Sequence, residues 1–272
     1  MTGKLYVVGT PIGNLGDMSP RAVETLEKVD FIAAEDTRVT VKLLNHFGIK
    51  KEMLSYYEHN KNLKGNLILE RMLKGESCAV VSDAGMPAIS DPGEDLVRLA
   101  HENGIEVESV PGPSALITAI SISGFPCGRF CFEGFLSMNK IGRRTHLEEL
   151  KTEKRTMIFY EAPHKLPATL NDMFKYFGDR QIVFVRELTK IHETVMKTTL
   201  KEAIAYYEEN TPKGEFVLLV EGAKEEIKTY SLEDAVKIAN DLIREGKSTS
   251  SAAKEAAEIT GIKKGDIYKS LI

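Results

Sequence analysis

Cysteine is scarce in this chain of 272 residues: Cys78, Cys127 and Cys131 are too few, and odd in number, for a disulfide framework. A reducing compartment is the expectation. Cys127 and Cys131 lack a second cysteine pair, and the next histidine downstream is His146, so both read as buried, inert thiols and no metal site is expected. Positive charge is not in excess either. The formal net charge is −4, with 42% hydrophobic and 28% charged residues, the balance of a globular protein in which a polyanion would have to be met by a local patch. Long apolar runs are also missing. The most apolar stretch, residues 110–126, is broken by Pro111, Gly112, Pro113 and several serines, which excludes a membrane span there. The run Leu5-Tyr6-Val7-Val8 is too short for a signal peptide, so a cytoplasmic location is expected, with no membrane partner.

What the chain does have is three loops rich in glycine and proline within its first 115 residues. They are Gly9-Thr10-Pro11-Ile12-Gly13-Asn14-Leu15-Gly16-Asp17, the loop from Ser82 to Gly93, and Pro111-Gly112-Pro113-Ser114-Ala115. Each follows an apolar run that reads as a strand: Leu5–Val8, Cys78–Val81 and Val107–Val110. Parallel strands would bring the loops to one carboxyl edge, where open α/β sheets hold ligands. The first loop is neither a dinucleotide fingerprint, because its third glycine is Gly16 and Pro11 intrudes, nor a phosphate loop, because no Gly-Lys-Ser/Thr follows. It suits a ligand held by backbone groups, with Asp17 free to face a cation. In the second loop Asp83 follows a strand directly and reads as a ligand contact, whereas Asp91 before Pro92 reads as a helix N-cap.

Strands and helices alternate from Lys4 to Ala115 and again from about Arg129 to Gly222, with second-block strands at Phe130–Phe135, Thr156–Tyr160, Gln181–Arg186 and Glu215–Val220. The expected class is α/β: an N-terminal domain over residues 1–115, a second α/β domain over 116–223, and a small helical domain over 229–272 after a charged linker. Ser19-Pro20 opens a helix to Lys28, and Gly104 closes another from Glu94. In the tail, Ala235, Ile238, Ala239 and Leu242 share one helix face, and two shorter helices follow, so the tail reads either as a helix-turn-helix module or as a packing appendage.

Four polar clusters mix acids with bases: residues 35–38, Tyr57-Glu58-His59-Asn60, residues 160–165 and residues 186–193. All but the second sit at expected strand ends, which points to a catalytic cleft on the edge that carries the loops. The strongest basic patch is residues 140–155, with Lys140, Arg143, Arg144, Lys151, Lys154 and Arg155; it reads either as an RNA contact or as a solvated helix face.

These motifs together resemble the tetrapyrrole methylase superfamily. The resemblance is carried by Val8–Leu15, Ala34-Glu35-Asp36-Thr37-Arg38, Glu58-His59-Asn60, Asp83-Ala84-Gly85, Ser90-Asp91-Pro92-Gly93, Val110–Ala115 and Arg186-Glu187-Leu188-Thr189-Lys190. Met86 and Ala162 depart from it, each standing where the family usually carries a hydroxyl. The resemblance implies two α/β domains with S-adenosyl-L-methionine in the cleft between them, and a homodimer. Its nearest branch methylates a cytidine 2′-oxygen in small-subunit ribosomal RNA, so ribosomal RNA or the small ribosomal subunit is the implied partner. For cofactor binding it implies Pro11, Asp83, Ala84, Gly85, Met86, Ser90, Ser114, Ala115, Tyr160, Glu161 and Leu188.

A ribose hydroxyl is un-ionised at neutral pH and needs a base or a nearby cation, for which Glu187, Lys190, Asp36 and Arg38 are the catalytic candidates. Lys190 or Glu187 would draw the proton, and Arg38 or Lys165 would hold phosphate or ribose. Alternative readings are a tetrapyrrole C-methyltransferase acting on a porphyrinogen or precorrin, an enzyme methylating a modified histidine of an elongation factor, and a non-catalytic RNA-binding assembly protein.

Overall fold

A computed structural model describes residues 2–91, 93–224 and 230–272 of the chain. They form two compact units, Met1–Ala223 and Lys224–Ile272. Pro92 and most of the expected linker, residues 225–228, lie outside the described residues.

Five strands make the first sheet of the larger unit: β1 Lys4–Val8, β2 Phe31–Ala34, β3 Glu52–Ser55, β4 Cys78–Val81 and β5 Glu106–Val110. All pair in parallel, in the order β3-β2-β4-β1-β5. The inner strands β2 and β4 are buried on both faces, which is why their sequences, Phe-Ile-Ala-Ala and Cys-Ala-Val-Val, are unbroken apolar runs. Helices α1 Pro20–Lys28 and α2 Thr37–His46 cover one face, where Leu26 and Leu44 meet Ile32, Ala34 and Val81. On the other face α3 Lys61–Leu73 and α4 Gly93–Glu102 set Ile68, Met72 and Leu96 against Leu5, Phe31 and Val80. Phe31 and Leu26 are fully buried, and each such side chain contributes about 1.5–3 kcal/mol through area removed from water. The Ser19 hydroxyl accepts from the Ala22 amide at 3.1 Å and Pro20 occupies the first turn, which fixes where α1 begins.

Helix α5, Ala115–Ser123, follows β5 after the third Gly/Pro loop and packs on the second sheet, with Leu116, Ala119 and Ile120 against Ile158, Val183 and Val217. That sheet contains β6 Phe130–Phe135, β7 Thr156–Glu161, β8 Gln181–Arg186, β9 Thr194–Thr199 and β10 Phe216–Val220. Its order is β6-β7-β10-β8-β9, and only the β6–β7 pair is parallel. Helices α6 Lys140–Glu149, α7 Leu166–Phe177 and α8 Leu200–Glu209 cover its far face over Phe159, Phe184 and Leu218.

Two expectations need correction. The cluster Tyr57–Asn60 follows strand β3, so it too lies at a strand end, and all five strands of the first sheet deliver polar or Gly/Pro loops to the same edge. Cys127 is exposed and Cys131 only half-buried, so neither is the buried thiol expected; among the described residues no cluster suited to a metal appears. In the basic stretch 140–155 several side chains stand in ion pairs, and its readings as RNA contact or solvated helix face both stand. Arg143 joins Asp172, Lys151 joins Glu148 and Arg155 joins Glu153, while Lys140 and Arg144 form none among the described residues.

The smaller unit is helical: α9 Leu232–Arg244, α10 Thr249–Thr260 and α11 Lys264–Leu271. Ala235, Ala239, Ala252, Ala253, Ala256 and Ile267 form its core. A reciprocal Ser231–Asp234 capping box opens α9, the Ser231 hydroxyl accepting from the Asp234 amide at 3.1 Å. Among the described residues, no helix is long and apolar enough to cross a membrane.

Candidate functional site

The three Gly/Pro loops are joined to one another by backbone contacts at the carboxyl edge of the first sheet. Thr10 and Gly85 exchange hydrogen bonds, Thr10 N–H to the Gly85 carbonyl at 2.9 Å and Gly85 N–H to the Thr10 carbonyl at 3.1 Å. The buried Thr10 hydroxyl donates to the Ser82 carbonyl at 3.3 Å. Gly112 N–H donates to the Met86 sulfur at 3.3 Å, and Gly9 N–H to the Val110 carbonyl at 3.0 Å. A Cβ on Gly9 would lie 2.7 Å from both the Gly112 Cα and the Met86 sulfur, so the close approach of the first and third loops requires glycine there. In the second loop Ala88 and Ser90 adopt left-handed backbone, each with φ 68°. Non-glycine residues in that region cost roughly 1–3 kcal/mol and concentrate at ligand clamps. Asp91 holds the loop in shape: one carboxylate oxygen accepts from the Ala88 and Gly93 amides, both at 2.8 Å, and so caps α4.

These loops open onto a cleft of about 530 Å³, within the range of small-molecule sites. From the first sheet Asp83, Ala84, Gly85, Met86 and Ser90 line it, with Ser114 and Ala115 at the start of α5. From the second sheet Tyr160, Glu161 and Leu188 line it. Pro11 does not, although its neighbour Ile12 does. The Tyr160 hydroxyl accepts from the Leu116 amide at 3.1 Å, tying β7 to α5, and its ring stands edge-on to Phe132 and Phe135 at 4.9 and 5.5 Å. Burial pushes the Tyr160 phenol up, so it stays neutral.

The charge of the cleft is one-sided. Glu35, Asp83, Asp91, Glu161 and Glu215 line it, and among the described residues no lysine, arginine or histidine does. Burial raises the Glu35 carboxyl, and the nearby carboxylates of Asp83, Asp91 and Asp36 add to that against a hydrogen bond from the Asp83 amide. Burial likewise raises Asp83, whose carboxylate accepts from the Asp36 amide at 3.1 Å. A cation placed there would relieve both groups.

The catalytic candidates stand beside this lining. Asp36 caps α2, accepting from the Arg38 amide at 2.8 Å, and pairs with the Arg38 guanidinium. The Arg38 side chain and amide hold the Asp36 carboxyl down to about 2, too low for a base at neutral pH. Arg38 itself is 88% exposed. On the loop after β8, Glu187 and Thr189 have left-handed backbone, with φ 54° and 63°. A Cβ on Gly13 would lie 2.9 Å from the Leu188 carbonyl, so this loop packs against the first Gly/Pro loop. Lys190 Nζ donates to Glu187 at 3.0 Å and to Glu215 at 2.9 Å, and Glu215 lines the cleft. Burial alone would lower the Lys190 ammonium, but the two carboxylates outweigh it and raise it. The Glu215 amide and then Lys190 hold Glu187 low. Lys190 therefore offers charge rather than basicity at neutral pH.

The sequence pattern of the tetrapyrrole (corrin/porphyrin) methylases matches residues 4–204. The chain belongs to this family. Among curated relatives, "Ribosomal RNA small subunit methyltransferase I" of Synechocystis sp. is 48% identical over 98% of this chain and 96% of its own. The protein of that name from Thermotoga maritima is also 48% identical, over 81% of this chain and 99% of its own length. Among solved structures, the methyltransferase CobJ superposes with a TM-score of 0.60 at 20% identity, covering 82% of this chain and 95% of that one. Uroporphyrin-III C-methyltransferase from Thermus thermophilus, complexed with S-adenyl homocysteine, gives 0.55 at 17% identity, covering 80% and 97%. At these identities the structural likeness speaks for the fold alone.

Several methylase lining residues were not singled out by sequence reasoning. Phe135, Phe216 and Glu215 join the cleft through strand pairing in the second sheet, which no local motif announces. Glu35 and Asp91 lay inside recognised motifs, and the concentration of acids without bases was the signal that could have promoted them.

Proposed function

We propose that this protein transfers a methyl group from S-adenosyl-L-methionine to small-subunit ribosomal RNA, at the 2′-oxygen of a cytidine ribose. The observation that carries the reading is the cleft whose charged lining groups, among the described residues, are all acids. A sulfonium cation suits that lining, whereas the phosphates of a dinucleotide do not. Relatives named for ribosomal RNA methylation, 48% identical over nearly the whole chain, support the acceptor. The likeness to tetrapyrrole C-methyltransferases, at 17–20% identity, carries no acceptor with it.

When bound, the cofactor supplies an already activated methyl group, so the protein's work is alignment, exclusion of water and support of the acceptor oxygen. The loops around Pro11, Asp83–Met86, Ser90 and Ser114-Ala115 hold the donor mainly by backbone, with Tyr160, Glu161 and Leu188 closing the opposite wall. Lys190, kept charged by Glu187 and Glu215, stabilises the alkoxide that develops on the ribose. Arg38, oriented by Asp36, meets a phosphate at the rim. The proposed domains are residues 1–115, 116–223 and 229–272, in a cytoplasmic homodimer.

The test incubates the protein with radiolabelled S-adenosylmethionine and small subunits from cells lacking it, then locates the label by nuclease digestion and mass spectrometry. One labelled cytidine ribose is the expected result. Label on a base, or on an added porphyrinogen in place of RNA, overturns the reading, and tight cofactor binding without any transfer favours a non-catalytic role.

A further inference from the structure

Glu161 ends strand β7 with 4% of its surface exposed, yet it lines the cleft. A carboxylate removed from water in this way requires donors, and it finds two in the protein. One oxygen accepts from the Ala162 amide at 2.9 Å, and the other accepts from the hydroxyl of Thr169 on α7 in a short contact. Thr169 is fully buried and in turn accepts from Arg143 Nη2 at 2.9 Å, while Arg143 Nε is paired with Asp172 at 2.6 Å. Neither Arg143, Thr169 nor Asp172 lines the cleft. A carboxylate has about four acceptor positions, so two remain to receive N–H or O–H groups of a ligand.

We infer that Thr169 and Arg143 are positioning residues that aim the free lone pairs of Glu161 at the hydroxyls or amines of the bound methyl donor. The inference rests on the methyl-donor reading of the cleft. It also reassigns Arg143, whose place in a basic stretch suggests an RNA contact. The side chain is 12% exposed, with Nε held by Asp172 and Nη2 by the buried Thr169. The threonine has one hydroxyl proton and two acceptors in reach, the Glu161 carboxylate in the short contact and the Lys165 carbonyl at 3.2 Å. With Arg143 donating to its oxygen, the proton goes to the closer and charged acceptor, Glu161, so the arginine and the carboxylate together set the direction of the last hydrogen bond.

Calorimetric titration of the full-length chain with S-adenosylmethionine and S-adenosylhomocysteine tests this, alongside filter binding of ribosomal RNA without donor. Thr169→Val is expected to weaken donor binding about tenfold, the loss of one hydrogen bond to a charged group. Thr169→Ser should restore it to within about twofold, and Arg143→Gln should weaken it by roughly three- to tenfold, with RNA affinity unchanged in each. In a Glu161→Gln background Thr169→Val should add nothing, whereas a purely structural defect would add its full effect. Donor binding by Thr169→Val within twofold of wild type, an undiminished effect in the Glu161→Gln background, or RNA affinity lost with Arg143→Gln while donor affinity stays, each overturns the inference. If Thr169→Val does not fold, Arg143→Gln with and without Glu161→Gln gives the same decision. A wild-type chain that binds no donor refutes the methyl-donor reading itself and is told apart from these outcomes by that fact.

Discussion

Replacing Gly9 by alanine probes the junction on which the whole cradle depends. The added Cβ would stand 2.7 Å from Gly112 N, Gly112 Cα and the Met86 sulfur. Relaxed carbon contacts lie at about 3.5–4.0 Å, so the first and third loops must part by roughly 1 Å. Two of the three neighbours are backbone, which cannot swing aside as a side chain would. Overpacking of this kind costs about 1–3 kcal/mol, and for a unit of about 220 residues each kcal/mol lowers the melting midpoint by roughly 2–4 °C. A fall of about 2–12 °C is expected. The Thr10–Gly85 bridge carries the displacement into the second loop, so the donor site moves as well. A misplacement near 1 Å costs on the order of 100-fold in turnover. Scanning calorimetry and donor titration, with Gly128→Ala as the control because nothing lies within 4 Å of its added Cβ, provide the assay. A Gly9→Ala protein that melts within about 1 °C of that control and binds donor equally would refute the reasoning.

Three further outcomes follow from the same geometry. Burial raises Glu35 and Asp83, so protons reach them above the ordinary carboxylate range of about 4. Their contribution to folding is therefore greatest at low pH and is lost as pH rises through the raised values, while affinity for a cationic donor runs the other way and weakens on acidification. Titration between about pH 4 and pH 8 should show that fall, and Glu35→Gln should flatten part of it; a flat wild-type profile refutes it. Lys190→Ala should lower turnover roughly 100-fold or more, as loss of one charge-stabilising donor does, with donor affinity within about threefold; full activity removes Lys190 from the mechanism. A chain ending at Ala223 should bind donor as the full chain does, because the family match ends at residue 204 and the Thermotoga relative has no counterpart for about a fifth of this chain; loss of binding would give the helical unit a role in the donor site.

The strands legible in the sequence are those whose burial leaves a mark. β2 and β4, covered on both faces, appear as apolar runs ending at a recognisable loop, and the first-sheet side of the cleft follows from them. β3 and β9 were not picked out because each is an edge strand, Glu-Met-Leu-Ser and Thr-Val-Met-Lys-Thr-Thr, with only part of its surface buried. Edge strands tolerate polar residues, which blurs alternation. Helix α2 was hidden by Val39, Thr40 and Val41, whose branched side chains favour strands until packing decides otherwise. On the second-sheet side of the cleft, Glu161 belongs to a motif, but Glu215 and Phe216 arrive by pairing of β10 with β7 and β8, a long-range event with no local signature. The role of Arg143 was obscured for the same reason, because its partners Thr169 and Asp172 lie on another helix.

A cleft lined by acids and a polyanionic acceptor would repel each other, and the arrangement of charge resolves that conflict. Of the lining acids Glu161 is buried and Glu35 and Asp91 are half-buried, where low-dielectric walls strengthen their hold on a cation and oppose a phosphate, while Asp83 and Glu215 reach solvent. The cations lie outside that lining: Arg38 extends into solvent from the Asp36 cap, and Lys190 bridges Glu187 to Glu215. On the proposed reading, an RNA segment that presents its ribose to the cleft while a phosphate meets Arg38 would satisfy both groups of charge. A flat, phosphate-free macrocycle makes no use of the outer zone. The donor half of the proposed site therefore rests on the fold and its Gly/Pro loops, whereas the acceptor half rests on two charges, Arg38 in the first turn of α2 and Lys190 on the loop after β8.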